Sequence, residues 1–313
     1  MCGRYASARK RQELLEEFQV RREHADPELP PDYNVAPTKR VYAVLSRSED
    51  RPAGSGAPAA AQRQQRDEPS GSGPSARQLR VLRWGLVPFW AKDPAIGSRM
   101  INARAETVAE KPAFRRAFAR RRCLLPADGY YEWQAAGLDA KAAPADVPPG
   151  QQGEAAPRGR GGKRGTPKVP YFIHPRGGGV LALAGLYELW RRPGDGSGSA
   201  AGQAGGNGDD PDSWLWTVTI ITTSAVDELG HIHDRMPMVI ERSRWADWLD
   251  PALTRPDDVR ELLVPAVAGG LEVYPVSPAV NNVRNNGPGL IEPAEPVVTS
   301  PGDGAAGSPG PLF

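Results

Sequence analysis

Cysteine is scarce in this chain: Cys2 and Cys123 are its only two among 313 residues. That scarcity argues against a disulfide framework or a zinc site built on thiolates. Long apolar runs are missing too. No stretch approaches the ~18–20 apolar residues of a membrane-spanning helix, and residues 1–30 hold no apolar signal core. The expectation is a cytoplasmic protein with no membrane attachment, in a compartment where thiols stay reduced. An excess of one charge is absent as well, since 39 Lys and Arg stand against 37 Asp and Glu for a net +2. Any basic surface therefore has to come from local arrangement. Hydrophobic residues make up only 39%, whereas Gly (35) and Pro (33) are abundant. Such a composition suggests an ordinary core interrupted by segments that do not fold.

Three such segments stand out at 51–76, 134–168 and 193–211, low in complexity and without periodicity. The second carries a basic, Gly-rich patch at 158–164, best taken as a solvated linker. A Pro- and Gly-rich tail over 291–313 is expected to be disordered. What remains is about 200 residues, enough for one compact core, so a single domain over 2–290 is expected. Strands are expected at 41–45, 79–85, 171–173, 180–187, 214–222 and 271–276. Segments 123–127 and 130–133 form successive strand pieces joined at Asp128-Gly129. Helices are expected at 9–18, capped by Ser7, and after Pro112, with Phe114, Ala117 and Phe118 at core spacing. Two more follow: one capped by Ser243 and carrying Trp245, Trp248 and Leu249, and one at 257–263. The segment 224–237 reads as a polar loop. Many strands with few short helices make the fold α+β, not a doubly wound α/β sheet.

Four places hold polar residues that composition does not explain. Cys2 follows an initiator Met that methionine aminopeptidase normally removes before so small a residue. The mature chain would then begin with an α-amine and a thiol on adjacent carbons. These titrate near ~7.7–8.0 and ~8.5, so both nucleophilic forms are accessible at neutral pH. A 1,2-aminothiol condenses with an aldehyde to an imine, and the thiol then closes a five-membered thiazolidine. The plainer account is an inert terminal position. Asn102 either shapes a loop or contributes to a site with Arg104, which could also simply pair with Glu106. Glu132 lies between Tyr131 and Trp133 in a strand, so its carboxyl must be paired, protonated or functional. His233 is either an ordinary loop histidine or an acid–base group. With His231 at i, i+2 it could suggest a metal, but no third or fourth ligand can be assigned. No metal and no cofactor are expected.

Taken together, these residues resemble the SRAP family, the SOS response-associated peptidase domains that include abasic-site processing proteins. The resemblance rests on Met1-Cys2-Gly3-Arg4-Tyr5, Tyr33-Asn34-Val35-Ala36-Pro37 and Trp84-Gly85-Leu86-Val87-Pro88. It extends through Ile101-Asn102-Ala103-Arg104-Ala105-Glu106-Thr107, Asp128-Gly129-Tyr130-Tyr131-Glu132-Trp133 and Ile232-His233-Asp234-Arg235-Met236-Pro237. The three insertions fall between these motifs. The resemblance implies a mixed or antiparallel β-barrel-like core and a basic groove for single-stranded DNA. It also implies a covalent thiazolidine between Cys2 and the opened sugar of an abasic site, shielding the lesion. On that basis Cys2 is the nucleophile, Asn102 positions its amine, Glu132 is a general acid/base and His233 assists sugar opening. Arg4 and Arg104 would hold phosphates, Arg284 is a further phosphate candidate, and Asn34 and Pro37 would shape the groove wall. Trp90 would stack on a base, or else be a core aromatic. The expected partner is single-stranded DNA with abasic sites, met by a monomer at the cytoplasmic nucleoid, with any lyase reaction left open. Two alternatives remain: an N-terminal cysteine peptidase or amidohydrolase, and a non-catalytic single-strand binding module.

Overall fold

The computed structural model describes residues 2–24, 26–47, 76–135, 168–191, 214–225, 227–230, 232–265 and 270–294. In chain order, the first half comprises β1 (Tyr5–Ser7), α1 (Arg11–Glu17), β2 (Arg22–Glu23), β3 (Asp32–Val35), β4 (Arg40–Arg47), β5 (Ala76–Trp84), β6 (Asn102–Arg104) and α2 (Arg115–Arg120). The second half comprises β7 (Arg122–Ala127), β8 (Gly129–Ala135), β9 (Lys168–Pro175), β10 (Leu181–Trp190), β11 (Leu215–Ser224), α3 (Asp227–Gly230), β12 (Arg235–Pro237), α4 (Trp245–Leu249), α5 (Pro256–Arg260) and β13 (Leu271–Pro275).

Five strands close on themselves in the order β11-β10-β7-β4-β5, with β5 returning to β11. Neighbours in a ring of five cannot all be antiparallel. The odd pairing is the short parallel contact of Thr217 with Arg83 and Val218 with Trp84. β2, β6 and β12 extend the ring at β5 and β11. A second, antiparallel sheet runs β13-β9-β8-β1-β3.

Alternation along each barrel strand divides its side chains between two cores. Val41, Ala43, Leu45, Leu82, Trp84, Cys123, Leu125, Leu181, Leu183, Val218 and Ile220 share one cluster with Cys2, Tyr5 and Tyr130 of the second sheet's side. Tyr42, Val44, Leu124, Ala182, Ala184 and Ile221 face the other way, where α1, α2 and α4 cover them with Phe18, Phe118, Trp245 and Trp248. Burial on both faces explains why β7 and β10 are continuously apolar rather than alternating. Two charged residues are exceptions: Glu188, which pairs with Arg121, and Arg122, whose Nε and both Nη atoms donate to the carbonyls of Trp248, Phe118, Ala119, Asp250 and Leu253, at 2.6–3.0 Å. These bonds satisfy carbonyls left over where α2 and α4 end.

Several sequence expectations shift. Ser7 lies in β1, and α1 begins after Lys10 with no side-chain cap. Ser243 sits inside a 3₁₀ turn that runs into α4, so it caps nothing. The helix after Pro112 starts only at Arg115, and α5 is shorter than the span 257–263. β7 and β8 are consecutive but do not pair: Asp128 carries the chain from the barrel to the second sheet. There Asp128 accepts from the Ala8 amide at 2.6 Å and from Arg9 Nε at 3.0 Å. The segment 224–237 contains α3 and β12. Strands reach into the edges of two supposed insertions, through Ala76, Gln134, Ala135 and Lys168. The rest of those two segments and all of 193–211 lie outside the described residues, as does the basic patch at 158–164. Residues 291–294, assigned to the tail, belong to the fold: Tyr274 donates to the Ile291 carbonyl at 2.7 Å and Val276 bridges Pro293, while 295–313 lie outside the described residues. Among the described residues, no helix is long and apolar enough to cross a membrane.

Gly85 ends β5 at the closing contact of the barrel, donating its amide to the Val218 carbonyl at 2.8 Å. Its φ is +122°, and a Cβ there would stand 2.6 Å from the Gly97 carbonyl oxygen. Both the backbone conformation and the space exclude a side chain. Gly85→Ala is expected to cost about 3 kcal/mol in chemical denaturation, combining left-handed strain with overpacking.

Candidate active site

The sequence-singled residues converge on the seam between barrel and second sheet. Pairing of Tyr5 with Tyr130 lays the N-terminal segment alongside β8. The Tyr131 amide donates to the Arg4 carbonyl at 3.0 Å, continuing that contact toward Cys2. Cys2 is fully buried. From the barrel side, Asn102 opens β6 beside Ile220 and donates Nδ2 to the Cys2 carbonyl at 2.7 Å. Its Oδ1 is buried and has no partner among the described residues. An acceptor therefore stands beside Cys2, ready for a nearby N–H.

Glu132 leaves β8 on the same face as Tyr130, two residues apart. It is 3% exposed, and burial raises its carboxyl to about 7, opposed by the positive charge of the chain terminus. Burial also pushes the Cys2 thiol well above its ordinary range, and the Glu132 charge adds to that. A buried neutral thiol beside a carboxyl that titrates near neutrality is a proton-transfer pair at rest.

His233 lies just before β12 and shares with Glu132, Tyr130 and Arg235 a narrow crevice too tight to admit a water molecule, otherwise walled by apolar side chains such as Ile173 and Met236. Its Nδ1 is 2.9 Å from the Arg235 amide and 2.8 Å from Asp234 Oδ1. A neutral ring accepts from the first; a charged ring donates to the second. Burial lowers its pKa, helped by the terminal charge, so the neutral form dominates at pH 7 with its proton on Nε2.

The residues expected to meet DNA are found in different states. Arg4 is half-buried and donates Nη1 to Asn34 Oδ1 at 2.6 Å and to the Val280 carbonyl at 2.9 Å. Asn34 has no exposed surface, and its Nδ2 donates to the carbonyls of Asn282 and Asn285 at 3.0 Å. Its part in any groove wall is thus to hold Arg4 and the 278–285 segment. Pro37 is half-buried in a turn closed by the Lys39 amide on the Ala36 carbonyl, with Thr38 at φ +73°. Arg104 and Arg284 are exposed. Trp90 is 50% exposed, which removes the core-aromatic account, and Phe89 beside it is backed by the Arg116 guanidinium 4.3 Å away.

Three residues at the seam were not singled out from the sequence. Arg235 makes a bidentate pair with Glu106, at 2.6 and 3.0 Å, and donates to the Thr222 carbonyl at 2.6 Å. Glu106 is therefore the partner of Arg235, not of Arg104. Lys168 is exposed at the start of β9, and its charge is felt by both Glu132 and His233. Tyr130 was quoted only as part of a motif, although its i, i+2 relation to Glu132 on a strand would have placed them together. Among the described residues, no cluster of three metal-ligating side chains occurs; His231 lies outside them.

An abasic site processing protein of Bacillus subtilis, YoqW, is 34% identical over 292 residues, covering 93% of this chain and 99% of its own. The chicken abasic site processing protein HMCES is 29% identical over 288 residues, covering 85% of this chain and 67% of its own. A crystal structure of a Bacteroides thetaiotaomicron protein superposes with a TM-score of 0.61 at 20% identity, covering 94% of this chain and all of that one. The fold is thus one already seen in crystals. The sequence model of the family described as SOS response associated peptidase (SRAP) matches residues 1–152 and 158–283, and the chain belongs to that family.

Proposed function

We propose that this protein processes abasic sites in single-stranded DNA by forming a thiazolidine between Cys2 and the opened deoxyribose. The observation that carries this reading is Cys2, held by Asn102 at a buried seam beside Glu132, with His233 on the adjoining crevice. The relatives' shared name, abasic site processing protein, supports it.

The chemistry follows from the side chains. Opening the sugar's hemiacetal breaks the C1′–O4′ bond, leaving an aldehyde at C1′ and a hydroxyl at C4′. O4′ gains a proton and the C1′ hydroxyl loses one; His233 can relay it through Nε2, giving a proton to O4′ as the imidazolium and regaining one from the C1′ hydroxyl. The Cys2 amine adds to C1′, and loss of one water, assisted by Glu132 as acid, gives the imine. The thiol then adds to C1′, its proton passing by way of Glu132 to the nitrogen. Nothing is oxidised or reduced, and the sum is one aminothiol plus one aldehyde giving one ring plus water. Burial holds the thiol neutral at rest, so its attack on C1′ relies on Glu132 taking the proton as the C–S bond forms, and the lowered pKa that marks an acyl-transfer thiol is absent. The peptidase alternative gains no support from such a site.

Incubation with an abasic single-stranded oligonucleotide should yield an adduct that survives denaturation, of mass equal to the Met1-free protein plus the DNA minus one water. Absence of that adduct sinks the reading. Monomeric action at the cytoplasmic nucleoid is part of the same proposal. So is base stacking by Trp90. Since Trp90 is half exposed, Trp90→Ala should leave the melting temperature within a degree or two. It should weaken single-strand binding by ~1–3 kcal/mol in a fluorescence titration.

A further inference from the structure

The Tyr130 side chain has no exposed surface, yet its hydroxyl meets no hydrogen-bond partner among the described residues. A buried hydroxyl left unpaired is unfavourable, and its position calls for a partner that the described residues do not supply. Its surroundings indicate which. Tyr130 and Glu132 leave β8 on one face, and both line the crevice shared with His233 and Arg235. Tyr130 stands opposite Tyr5 in the strand register and packs in the same cluster as Cys2. The remaining walls, including Ile173, Leu229, Ile232 and Met236, are apolar.

We propose that the Tyr130 hydroxyl is a sugar-binding group, donating a hydrogen bond to the C4′ hydroxyl released when the captured deoxyribose opens. This rests on the abasic-site reading. A closed sugar offers only its ring ether oxygen at that position. The opened sugar presents a hydroxyl that would otherwise lie against apolar walls without a partner. A donor fixed at that point therefore favours the open aldehyde, the only form that the Cys2 amine can attack. Burial keeps the phenol protonated, so it acts as a donor and not as an acid.

Tyr130→Phe removes the oxygen and keeps the ring that packs against the core. Three measurements on this variant and the wild type decide the matter: affinity for an oligonucleotide carrying a tetrahydrofuran abasic analogue, the saturating single-turnover rate of crosslinking to a true abasic site, and the melting temperature. The analogue cannot open, so its affinity should agree within about twofold. The saturating rate should fall about five- to tenfold, the loss expected for one neutral hydrogen bond made after opening. The melting temperature should rise by a few degrees, because the unpaired hydroxyl is gone. An unchanged crosslinking rate overturns the inference and leaves the abasic-site reading standing. A lowered melting temperature also overturns it, since the hydroxyl then has a structural partner. Failure of the wild type to crosslink at all removes the abasic-site reading, and this inference with it.

Discussion

Cys2→Ala is expected to fold, to lose its initiator Met and still to form no adduct that survives denaturation. Alanine keeps the terminal amine, so the variant can reach the imine but not the ring. Imines hydrolyse; the thiazolidine is trapped because the sulfur attacks within the same residue. Such intramolecular closure has an effective concentration far beyond any free thiol, up to ~10⁵ M or more for a well-oriented pair. Borohydride should therefore rescue a covalent product with Cys2→Ala, whereas wild type needs no reductant. Because Cys2 is fully buried, loss of its sulfur should cost about 1 kcal/mol in stability, too little to abolish folding. Equal, denaturation-resistant crosslinking by Cys2→Ala without reductant, or by protein that retains Met1, would show that the ring is not the product.

Glu132→Gln should have two opposed effects, and their coincidence in one variant is the test. Crosslinking should slow by about a hundredfold or more, the usual contribution of a positioned general acid–base. Stability at alkaline pH should rise. The unfolded carboxyl titrates near ~4.3, while burial in the fold raises it to about 7. Between those values the folded state holds a proton that the unfolded chain has lost. Wild-type stability should therefore decline as pH rises from about 4 through 7 and level off beyond. The accumulated penalty is roughly 3 kcal/mol at pH 8. Glutamine cannot ionise, so the variant escapes this decline, and denaturant melts at pH 4 and pH 8 measure the difference. Parallel profiles for the two proteins would mean that the Glu132 carboxyl is not raised by burial. The wild-type crosslinking rate should rise as the terminal amine loses its proton and be cut back as Glu132 loses the proton it donates, giving a bell near neutrality. Glu132→Gln should keep only the limb belonging to the amine.

Much of the site was legible because its residues sit in short motifs of unusual local chemistry. Cys2 is conspicuous by position alone, and Glu132 by being a charge flanked by aromatics in a strand. Asn34 shows the limit of that approach. Its motif marked it for the groove wall, but only the fold shows that it has no surface and spends its polar atoms on Arg4 and the 278–285 segment. The pairing of Arg235 with Glu106 spans 129 residues, and no local pattern predicts it. The helix caps assigned to Ser7 and Ser243 failed for a related reason. Cap preference is worth about 1 kcal/mol, and strand pairing or a tertiary contact overrides it.

The sequence by itself determined the α+β class and eight of the thirteen described strands, and it singled out Cys2 as a candidate by its place in the chain. Alternation and propensity act over a few residues, and a chain end needs no partner to be recognised. Only the tertiary structure decided that the five-stranded barrel closes through a two-residue parallel contact, and that β7 and β8 part into different sheets at Asp128. It alone brought Asn102 to the carbonyl of a residue 100 positions away. Long-range pairing and burial set proton affinities and orphaned hydroxyls, because both depend on what surrounds a group in space rather than on what precedes it in the chain.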